Sequence, residues 1–295
     1  MGALRLSGDR KVSPFMVRNG ARATDVQVTV RNTFGLPAFL SCPGATSVCK
    51  SICYAARTEH QWAHALAHTV GRNWEVLQSV GDDEVVMADL LHALMADFRA
   101  ELSRAQRRGA EVPPLFRIHW DGDFYSLPYA RAWRRVILAH PDITFWTYTR
   151  SFRPPVNVVP LLQGVGNLTL YLSVDENNVS DAKRVLAAHP GVLVSTLAAT
   201  AEEAEGLLSE LGRRRAPVCP EVIGRVPLLS ARADRRRLPE PGEPAEGACV
   251  ACGMCIVGRA DVRFPITRVG GKAKKPIRQA PSAPVVRRPP VAASG

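Results

Sequence analysis

The alternation of short apolar runs with amphipathic runs between residues 114 and 220 constrains the fold of this chain more than any other feature. The apolar runs have the length and the β-branched or aromatic content of buried strands, and the runs between them have a helical period. The predicted strands cover residues 114–120, 143–149, 167–174, 191–198 and 215–220. The predicted helices cover residues 127–140, 156–165, 180–190 and 200–212. Strand–helix repeats are typical of parallel sheets, so the sequence predicts an α/β fold.

A partial or full (β/α) barrel is the architecture that we expect, and an open doubly wound sheet is the alternative. Two amphipathic helices, over residues 60–79 and 84–107, are predicted to precede the first of these strands. No glycine fingerprint of the dinucleotide-binding or P-loop type follows a predicted strand. This absence argues against a nucleotide-binding Rossmann or P-loop protein.

The chain is long and apolar enough to bury a large core, with 295 residues of which 46% are hydrophobic. It contains no uninterrupted apolar run of the roughly 18 residues that a membrane helix needs, and it begins without a signal-peptide pattern. We therefore expect a cytoplasmic protein that has no membrane partner.

Positive charge is concentrated at the C-terminus. The formal net charge is +11, and residues 268–295 contain seven basic residues and no acidic ones. A solvated, disordered extension and an electrostatic contact with nucleic acid are both open interpretations of this segment.

The seven cysteines fall into two groups, which indicates metal ligation rather than a disulfide framework. In the second group, Cys249, Cys252 and Cys255 have the spacing C-x2-C-x2-C, and Cys219 lies upstream of them. Four thiolates can complete a closed [4Fe–4S] site. A closed zinc site is the alternative, although the tight triplet favours iron–sulfur.

The first group, Cys42, Cys49 and Cys53, has the spacing C-x6-C-x3-C and contains only three thiols. Three thiolates can bind three irons of a [4Fe–4S] cluster and leave the fourth iron open for a small molecule. The alternative is a zinc ion whose fourth ligand is water or a histidine. The candidate histidines repeat at helical spacing and are His60, His64 and His68.

Polar residues follow the carboxyl ends of four successive predicted strands, where parallel α/β proteins form their ligand sites. The candidate cofactor-binding residues at these ends are Asp121, Gly122, Asp123, Tyr148, Thr149, Ser173, Asp175 and Asn177. For some of them, and for Asp175 in particular, capping of a turn or helix is the alternative role.

Three short motifs follow one another along the chain: SCPG…C…CYAAR over residues 41–57, GDF at 122–124 and YTRS at 148–151. Together and in this order they resemble the phage-encoded gene product 88 type proteins, over roughly residues 35–200. Those proteins in turn look like members of the radical S-adenosylmethionine (SAM) superfamily. The resemblance implies a (β/α) barrel of radical SAM type in which the three-cysteine loop follows the first barrel strand.

The resemblance also implies roles for individual residues. Cys42, Cys49 and Cys53 would ligate a cluster whose open iron binds the amino and carboxylate groups of SAM. The acidic segment Asp121–Asp123 would receive the SAM amino group. The ribose hydroxyls would meet residues at the end of a later strand, namely Ser173, Asp175 and Asn177. The four remaining cysteines would bind an auxiliary [4Fe–4S] cluster.

The cysteine spacing departs from the pattern C-x3-C-x2-C that is common in the superfamily. Ile52, rather than an aromatic residue, precedes Cys53, although Tyr54 follows it. A longer loop can still place three thiolates around one cluster, so this departure bears mainly on whether SAM is bound and cleaved.

This interpretation divides the chain into a radical SAM-like barrel domain (1–218), an auxiliary cluster region (219–267) and a flexible basic tail (268–295). It predicts an iron–sulfur enzyme with two clusters that uses SAM, an external electron donor and an unidentified substrate. The basic tail points to a nucleic acid or nucleotide as that substrate. A phage-encoded protein of this kind would act in the host cytoplasm.

Two other function classes remain open. One is a non-catalytic phage protein that binds zinc or an iron–sulfur cluster together with nucleic acid or a host partner. The other is redox sensing or electron transfer by clusters without SAM chemistry.

Removal of residues 268–295 is expected to weaken binding to DNA or RNA at low salt, because this segment carries seven basic residues. The slope of log K against log[salt] should fall in magnitude by up to about six. Fluorescence anisotropy with labelled single and double strands at several salt concentrations measures the effect. An affinity that is unchanged at low salt would show that the tail does not contact nucleic acid.

Overall fold

The computed structural model describes residues 3–17, 27–226, 228 and 246–266 of the chain. The predicted basic tail, residues 268–295, lies outside the described residues. Most of the Arg- and Pro-rich stretch before the second cysteine group, residues 229–245, also lies outside them.

The described strands are β1 (Phe15–Met16), β2 (Gln27–Val28), β3 (Thr33–Gly35), β4 (Leu115–Asp121), β5 (Thr144–Thr149), β6 (Phe152–Arg153), β7 (Val156–Asn157), β8 (Leu168–Val174), β9 (Leu193–Ala198) and β10 (Val262–Pro265). The described α-helices are α1 (Ser47–Ile52), α2 (Tyr54–Gln61), α3 (Ala63–Leu66), α4 (Arg72–Ser79), α5 (Glu84–Arg107), α6 (Leu127–Ala139), α7 (Val159–Leu162), α8 (Val179–Ala188), α9 (Ala201–Glu210) and α10 (Ala248–Cys252). A π-helical segment, Ala67–Gly71, joins α3 to α4.

Six of the strands form one parallel sheet in the order β3-β4-β5-β8-β9-β10, which is also their order along the chain. Within the described residues the edge strands β3 and β10 do not pair with each other, so the sheet is open. The α/β class with a parallel sheet is confirmed, whereas closure into a barrel is not. The strand order never reverses, which distinguishes this sheet from the doubly wound alternative.

One face of the sheet packs against the long helices. Alternate residues of each strand point to that side, and many of them are apolar. Phe116 of β4 meets Phe98 of α5 with their ring centroids 5.1 Å apart. Trp133 of α6 packs edge-on against Phe34 of β3, with a centroid separation of 5.7 Å. The apolar stripe of α5 recurs every three or four residues and supplies the main core with Met87, Leu91, Leu94, Met95, Phe98 and Leu102.

The opposite face of the sheet is covered by the second cysteine segment. The Thr169 hydroxyl donates to the Ile256 carbonyl at 2.9 Å, and the Tyr171 hydroxyl donates to the Ala260 carbonyl at 2.9 Å. Trp146 packs on this side with Val12 and Ile256 in a small second core. The region that contains Cys249–Cys255 therefore lies against the sheet, and its strand β10 forms one edge of that sheet.

Three predicted elements differ from the structure. The helix predicted over 156–165 is confined to Val159–Leu162, because Val156 and Asn157 pair with β6 as strand β7. The predicted helix over 60–79 is divided among several shorter helical segments, because residues 60–64 are exposed and no continuous apolar stripe holds one long helix against the core. The predicted strand over 215–220 is only an isolated bridge between Val218 and Arg263, since Pro217 and Pro220 have no N–H to donate. The sixth strand of the sheet is instead β10, which lies in the predicted auxiliary region.

Most other predicted boundaries agree with the structure to within two residues, and α5 begins and ends where the periodicity places it. Helix α8 begins after Asn178, which is its N-cap residue. Among the described residues, no helix is both long and apolar enough to cross a membrane.

Candidate functional site

The three-cysteine loop begins after β3 and continues into α1 and α2, at the carboxyl edge of the sheet. Thr46 caps α1, and its hydroxyl accepts a hydrogen bond from the backbone N–H of Cys49 at 3.0 Å. Cys53 is the N-cap of α2, where its thiol accepts from the N–H of Ala56 at 3.5 Å. Two of the three thiol-bearing residues are thus positioned by helix N-termini.

Two glycines allow the loop to lie directly on the ends of the strands. Gly122 follows β4 with φ of +78°, and a Cβ there would come within 2.4 Å of the Ser41 hydroxyl oxygen. A Cβ at Gly44 would lie 2.0 Å from the Arg150 carbonyl oxygen. No side chain fits at either contact, so glycine at both positions fixes the loop against β4 and the segment after β5.

A buried ion pair fixes the middle of the loop. Nη1 of Arg150 lies 2.5 Å from a carboxylate oxygen of Asp175, and the side chains are 7% and 0% exposed. The Thr46 hydroxyl donates to the same oxygen at 2.6 Å, and the Asn177 amide oxygen accepts from Ser47 at 2.6 Å. Asp175 also accepts from the N–H of Asn177 at 3.0 Å, which is the turn-capping role given above as its alternative.

Asp123 joins the ends of two neighbouring strands. Its carboxylate accepts three hydrogen bonds of 2.7 Å, from the N–H of Phe124, the hydroxyl of Thr149 and the N–H of Arg150. Burial raises the pKa of Asp123, and these hydrogen bonds oppose that shift. Asp123 and Thr149 are therefore fully engaged in holding the strand ends together.

Asp121 differs from the other carboxylates of this edge. It is 1% exposed, and its carboxylate oxygens make no hydrogen bond of ordinary geometry with the described residues, although Glu59 and the N–H of Gly122 lie close enough to act on it. Burial and the neighbouring Glu59 raise its pKa well above the ordinary value. Buried polar atoms without partners are exceptions in proteins, so Asp121 is a candidate for binding a ligand.

A second unpaired group of opposite charge lies near the same loop. The Nη2 atom of Arg150 is buried and has no partner among the described residues. Burial raises the pKa of Cys49, and Arg150 is the main group that opposes this shift. The three-cysteine loop therefore has an unsatisfied acceptor and an unsatisfied cationic donor beside it.

The three thiols are close enough to influence one another. Burial, followed by the Asp123 carboxylate, raises the pKa of Cys42, and Cys49 and Asp121 add to the effect. Burial raises the pKa of Cys53 to about 11, and Cys49 and Asp121 contribute in the same direction. Within the described residues, no three Cys, His, Asp or Glu side chains form a ready-made metal group.

The four-cysteine set, Cys219, Cys249, Cys252 and Cys255, lies on the sheet face opposite the long helices. The N–H of Cys219 donates to the Arg263 carbonyl of β10 at 2.9 Å, and the N–H of Cys249 donates to the Lys11 carbonyl at 2.6 Å. Burial raises the pKa of Cys255 to about 11, while a hydrogen bond with the Tyr148 hydroxyl opposes that shift. All seven cysteines are described, partly buried and free of disulfides.

Most of the other predicted site residues lie either at the three-cysteine loop or at the four-cysteine set. Tyr148 faces the four-cysteine set, whereas Gly122, Asp175 and Asn177 contact the three-cysteine loop. Ser173 lies at the end of β8, where its carbonyl accepts from the Asn178 amide. The histidines proposed as alternative zinc ligands, His60, His64 and His68, are exposed and belong to no metal group of the described residues.

Sequence reasoning did not single out Arg117 or the buried ion pair of Arg150 with Asp175. Arg117 is a charged residue in the middle of the buried strand β4 and is only 7% exposed. A charge inside a predicted buried strand is a usable signal, because such a charge needs partners in the interior. Arg150 gave no comparable signal. Its hydrogen-bond partners lie far away along the chain, so the sequence does not show which of its atoms are paired.

Comparison with known proteins identifies the family. The family model for gene product 88 matches residues 14–258. The chain belongs to the gene product 88 family. The match includes both cysteine groups and ends before the basic tail, and it confirms the family resemblance of the three motifs.

Two relatives in this family are named Gene 88 protein. The protein of Mycobacterium phage D29 is 35% identical over 272 residues, which cover 91% of this chain and 100% of that protein. The protein of Mycobacterium phage L5 is 34% identical over 271 residues, with the same coverage. Both are phage proteins, which supports the predicted phage origin. No solved structure matches the chain significantly.

Substitution of Gly44 by alanine is expected to destabilise the protein by about 1–3 kcal/mol, because the added methyl group collides with the Arg150 backbone. The same change at Gly166, where no atom lies within 4 Å of the added carbon, is the matched control. Chemical denaturation measures both variants. Equal stability of the two variants would mean that the loop does not depend on this close contact.

Proposed function

We propose that the three-cysteine loop holds a [4Fe–4S] cluster, that SAM binds beside it, and that the protein is a radical SAM-type enzyme. Three thiolates satisfy three irons of such a cluster and leave the fourth iron for a small ligand. None of the exposed histidines on the following helices is placed with the thiols in a described metal group. The thiols themselves form no such group in the described residues either, and under this proposal a ligand from solution would take the fourth position.

The observation that carries the proposal is the pair of unsatisfied buried groups beside the thiols. Asp121 can accept hydrogen bonds from an ammonium group, whose positive charge would favour the ionised carboxylate against the burial and the Glu59 charge that raise its pKa, and Nη2 of Arg150 can donate to a carboxylate. An α-amino acid carries both groups on one carbon atom. SAM has such an amino acid end, so these two residues complement it in charge and in hydrogen bonding.

The architecture is consistent with a partial (β/α) barrel of radical SAM type. Six parallel strands follow one another in chain order, and the three-cysteine loop comes directly after the first of them. That is the position the resemblance gives to the cluster loop. Ser173 at the end of β8 is the proposed contact for the ribose, while Asp175 and Asn177 hold the loop in place.

The side chains of the protein would bind and orient SAM and shield it from water, and they would not react with it themselves. When bound, the cluster supplies one electron from an external donor for the reductive cleavage of SAM. Asp121 would orient the amino end and Arg150 the carboxylate end of the cofactor. Asp123, Thr149 and Asp175 would keep these groups in place. We also propose that the four-cysteine set binds an auxiliary cluster and that the basic tail binds a nucleic acid or nucleotide substrate.

Metal content and SAM cleavage test this function directly. Protein purified without oxygen should be brown, absorb near 400 nm and contain about seven to eight irons if both clusters are present. Incubation with SAM and dithionite should yield 5′-deoxyadenosine and methionine. Colourless protein with stoichiometric zinc would contradict the iron–sulfur assignment. Iron-loaded protein that releases neither product would contradict the SAM chemistry.

Substitution of Asp121 by asparagine is expected to weaken SAM binding roughly 10- to 100-fold, because a hydrogen bond between charged groups is lost. Iron content should stay unchanged, since Asp121 is not proposed as a cluster ligand. Equilibrium dialysis with labelled SAM measures the binding. Asp142→Asn, at an exposed ion pair with Arg99, is the control and should bind SAM like the natural chain. Equal affinity of both variants would rule out Asp121 as the amino-group acceptor.

A further inference from the structure

A cavity of about 380 Å³ lies where the first residues of the three-cysteine loop meet the turn between α4 and α5. Phe39, Leu40 and Pro43 line it from the loop, Trp74 lines it from α4, and Tyr125 lines it from the segment before α6. None of its described lining residues is proposed above to bind metal or SAM. Its volume is in the range of sites that bind small molecules.

Two aromatic rings meet nearly at a right angle in the wall of this cavity. The ring centroids of Trp74 and Tyr125 are 5.0 Å apart, and the angle between the ring planes is 79°. Tyr125 also stacks on Tyr129 with a centroid separation of 4.6 Å, which fixes its orientation. Phe39 adds a third ring that is 38% exposed. Several aromatic rings around one space are the environment in which proteins bind quaternary ammonium groups.

The charge at this cavity is negative. Asp82 lies in the turn between α4 and α5 and lines the cavity, and its exposed carboxylate pairs with no other described residue. Burial and then the Asp82 carboxylate raise the pKa of Tyr125, so this charge acts on the aromatic wall. No lysine or arginine is among the described residues that line the cavity. The lining therefore favours a cation and disfavours an anion such as a phosphate.

Phe39 has a strained backbone conformation. Its φ is +67°, and the N–H of Leu40 donates to the carbonyl of Ala38 at 2.8 Å, so Phe39 is the central residue of a tight three-residue turn. This left-handed conformation is rare for a bulky side chain. Leu40 is 59% exposed, so the turn presents two apolar side chains to solvent. Strained residues cluster at ligand sites, and a ligand in the cavity can cover this apolar surface.

We propose that this cavity binds a small organic cation, namely an alkylated ammonium group on a short chain. The rings of Trp74, Tyr125 and Phe39 would contact the alkyl groups around the nitrogen, and Asp82 would balance the positive charge. A neutral ligand would make the same contacts with the rings but would gain nothing from the carboxylate. The inference goes beyond the proposed function, and it requires neither metal nor SAM.

Choline is the probe, and the neutral alcohol in which carbon replaces the choline nitrogen is its control, because the two have the same shape and differ in charge. Saturation-transfer NMR titrations with the full chain measure the affinity of each. The natural chain should bind choline about tenfold more tightly than the alcohol. Added salt should weaken only the binding of choline, because it screens the exposed carboxylate.

Two substitutions, each with a matched control, locate the binding. Asp82→Asn should weaken choline binding about threefold and leave the alcohol unaffected, whereas Asp89→Asn removes an exposed, unpaired carboxylate of α5 outside the cavity and should change neither. Trp74→Leu should weaken choline binding about tenfold. Trp62→Leu removes an indole that is 56% exposed and does not line the cavity, so it should bind choline like the natural chain.

Phe39→Gly keeps the test decisive even if Trp74→Leu fails to fold, which circular dichroism would reveal. Glycine adopts the left-handed conformation of residue 39 without strain, so the turn can form. The substitution removes one ring from the cavity and should weaken choline binding about threefold.

Three results would overturn the proposal. Equal affinity for choline and the alcohol would show that the cavity does not select a cation. Unchanged choline affinity in both Trp74→Leu and Asp82→Asn would place the binding elsewhere. The third result is the absence of choline binding by the natural chain at about 50 mM, a concentration that fills even a millimolar site. Failure of the proposed enzymatic function would leave all of these measurements unchanged.

Discussion

The buried ion pair between Arg150 and Asp175 is the interaction on which the site depends. It ties the segment after β5 to the end of β8, and Thr46 joins the same carboxylate from the cysteine loop. Removing one partner of such a pair costs about 3–5 kcal/mol, because the other charge is left buried and unpaired. The three-cysteine loop is therefore positioned by the strand ends, and its shape cannot be understood from the loop alone.

The two faces of the sheet contain different kinds of side chain, because the residues of each strand point alternately to one face and the other. On one face, Phe116 and Phe145 pack against the long helices and supply the main core. On the other face, Arg117 hydrogen-bonds the Tyr54 hydroxyl and Tyr148 hydrogen-bonds the Cys255 thiol. Because successive residues of a strand point to opposite sides, one strand supplies core and site at once. A shift of register by one residue would exchange these roles.

Sequence patterns predicted the parallel sheet, the long helix α5 and the grouping of the cysteines, since each of these has a local signature. They also placed polar candidates at the carboxyl edge, among them Asp121, whose carboxylate makes no hydrogen bond of ordinary geometry within the described residues. They did not predict β10, which lies in an irregular cysteine-rich segment and exists only because β9 offers it an edge. Nor did they reveal that the second cysteine segment covers one face of the sheet.

The sequence by itself determined the α/β class, the family and the two cysteine groups, because residue type and spacing along the chain carry that information. The tertiary structure decided which polar groups have hydrogen-bond partners. Asp121, Asp123 and Asp175 look alike in sequence, yet Asp123 and Asp175 accept hydrogen bonds from residues far along the chain, whereas Asp121 makes none of ordinary geometry with the described residues and lies near the like charge of Glu59. Hydrogen bonding is a property of positions in space, so only the folded chain separates the carboxylates that hold the strand ends and the loop together from the one that does not.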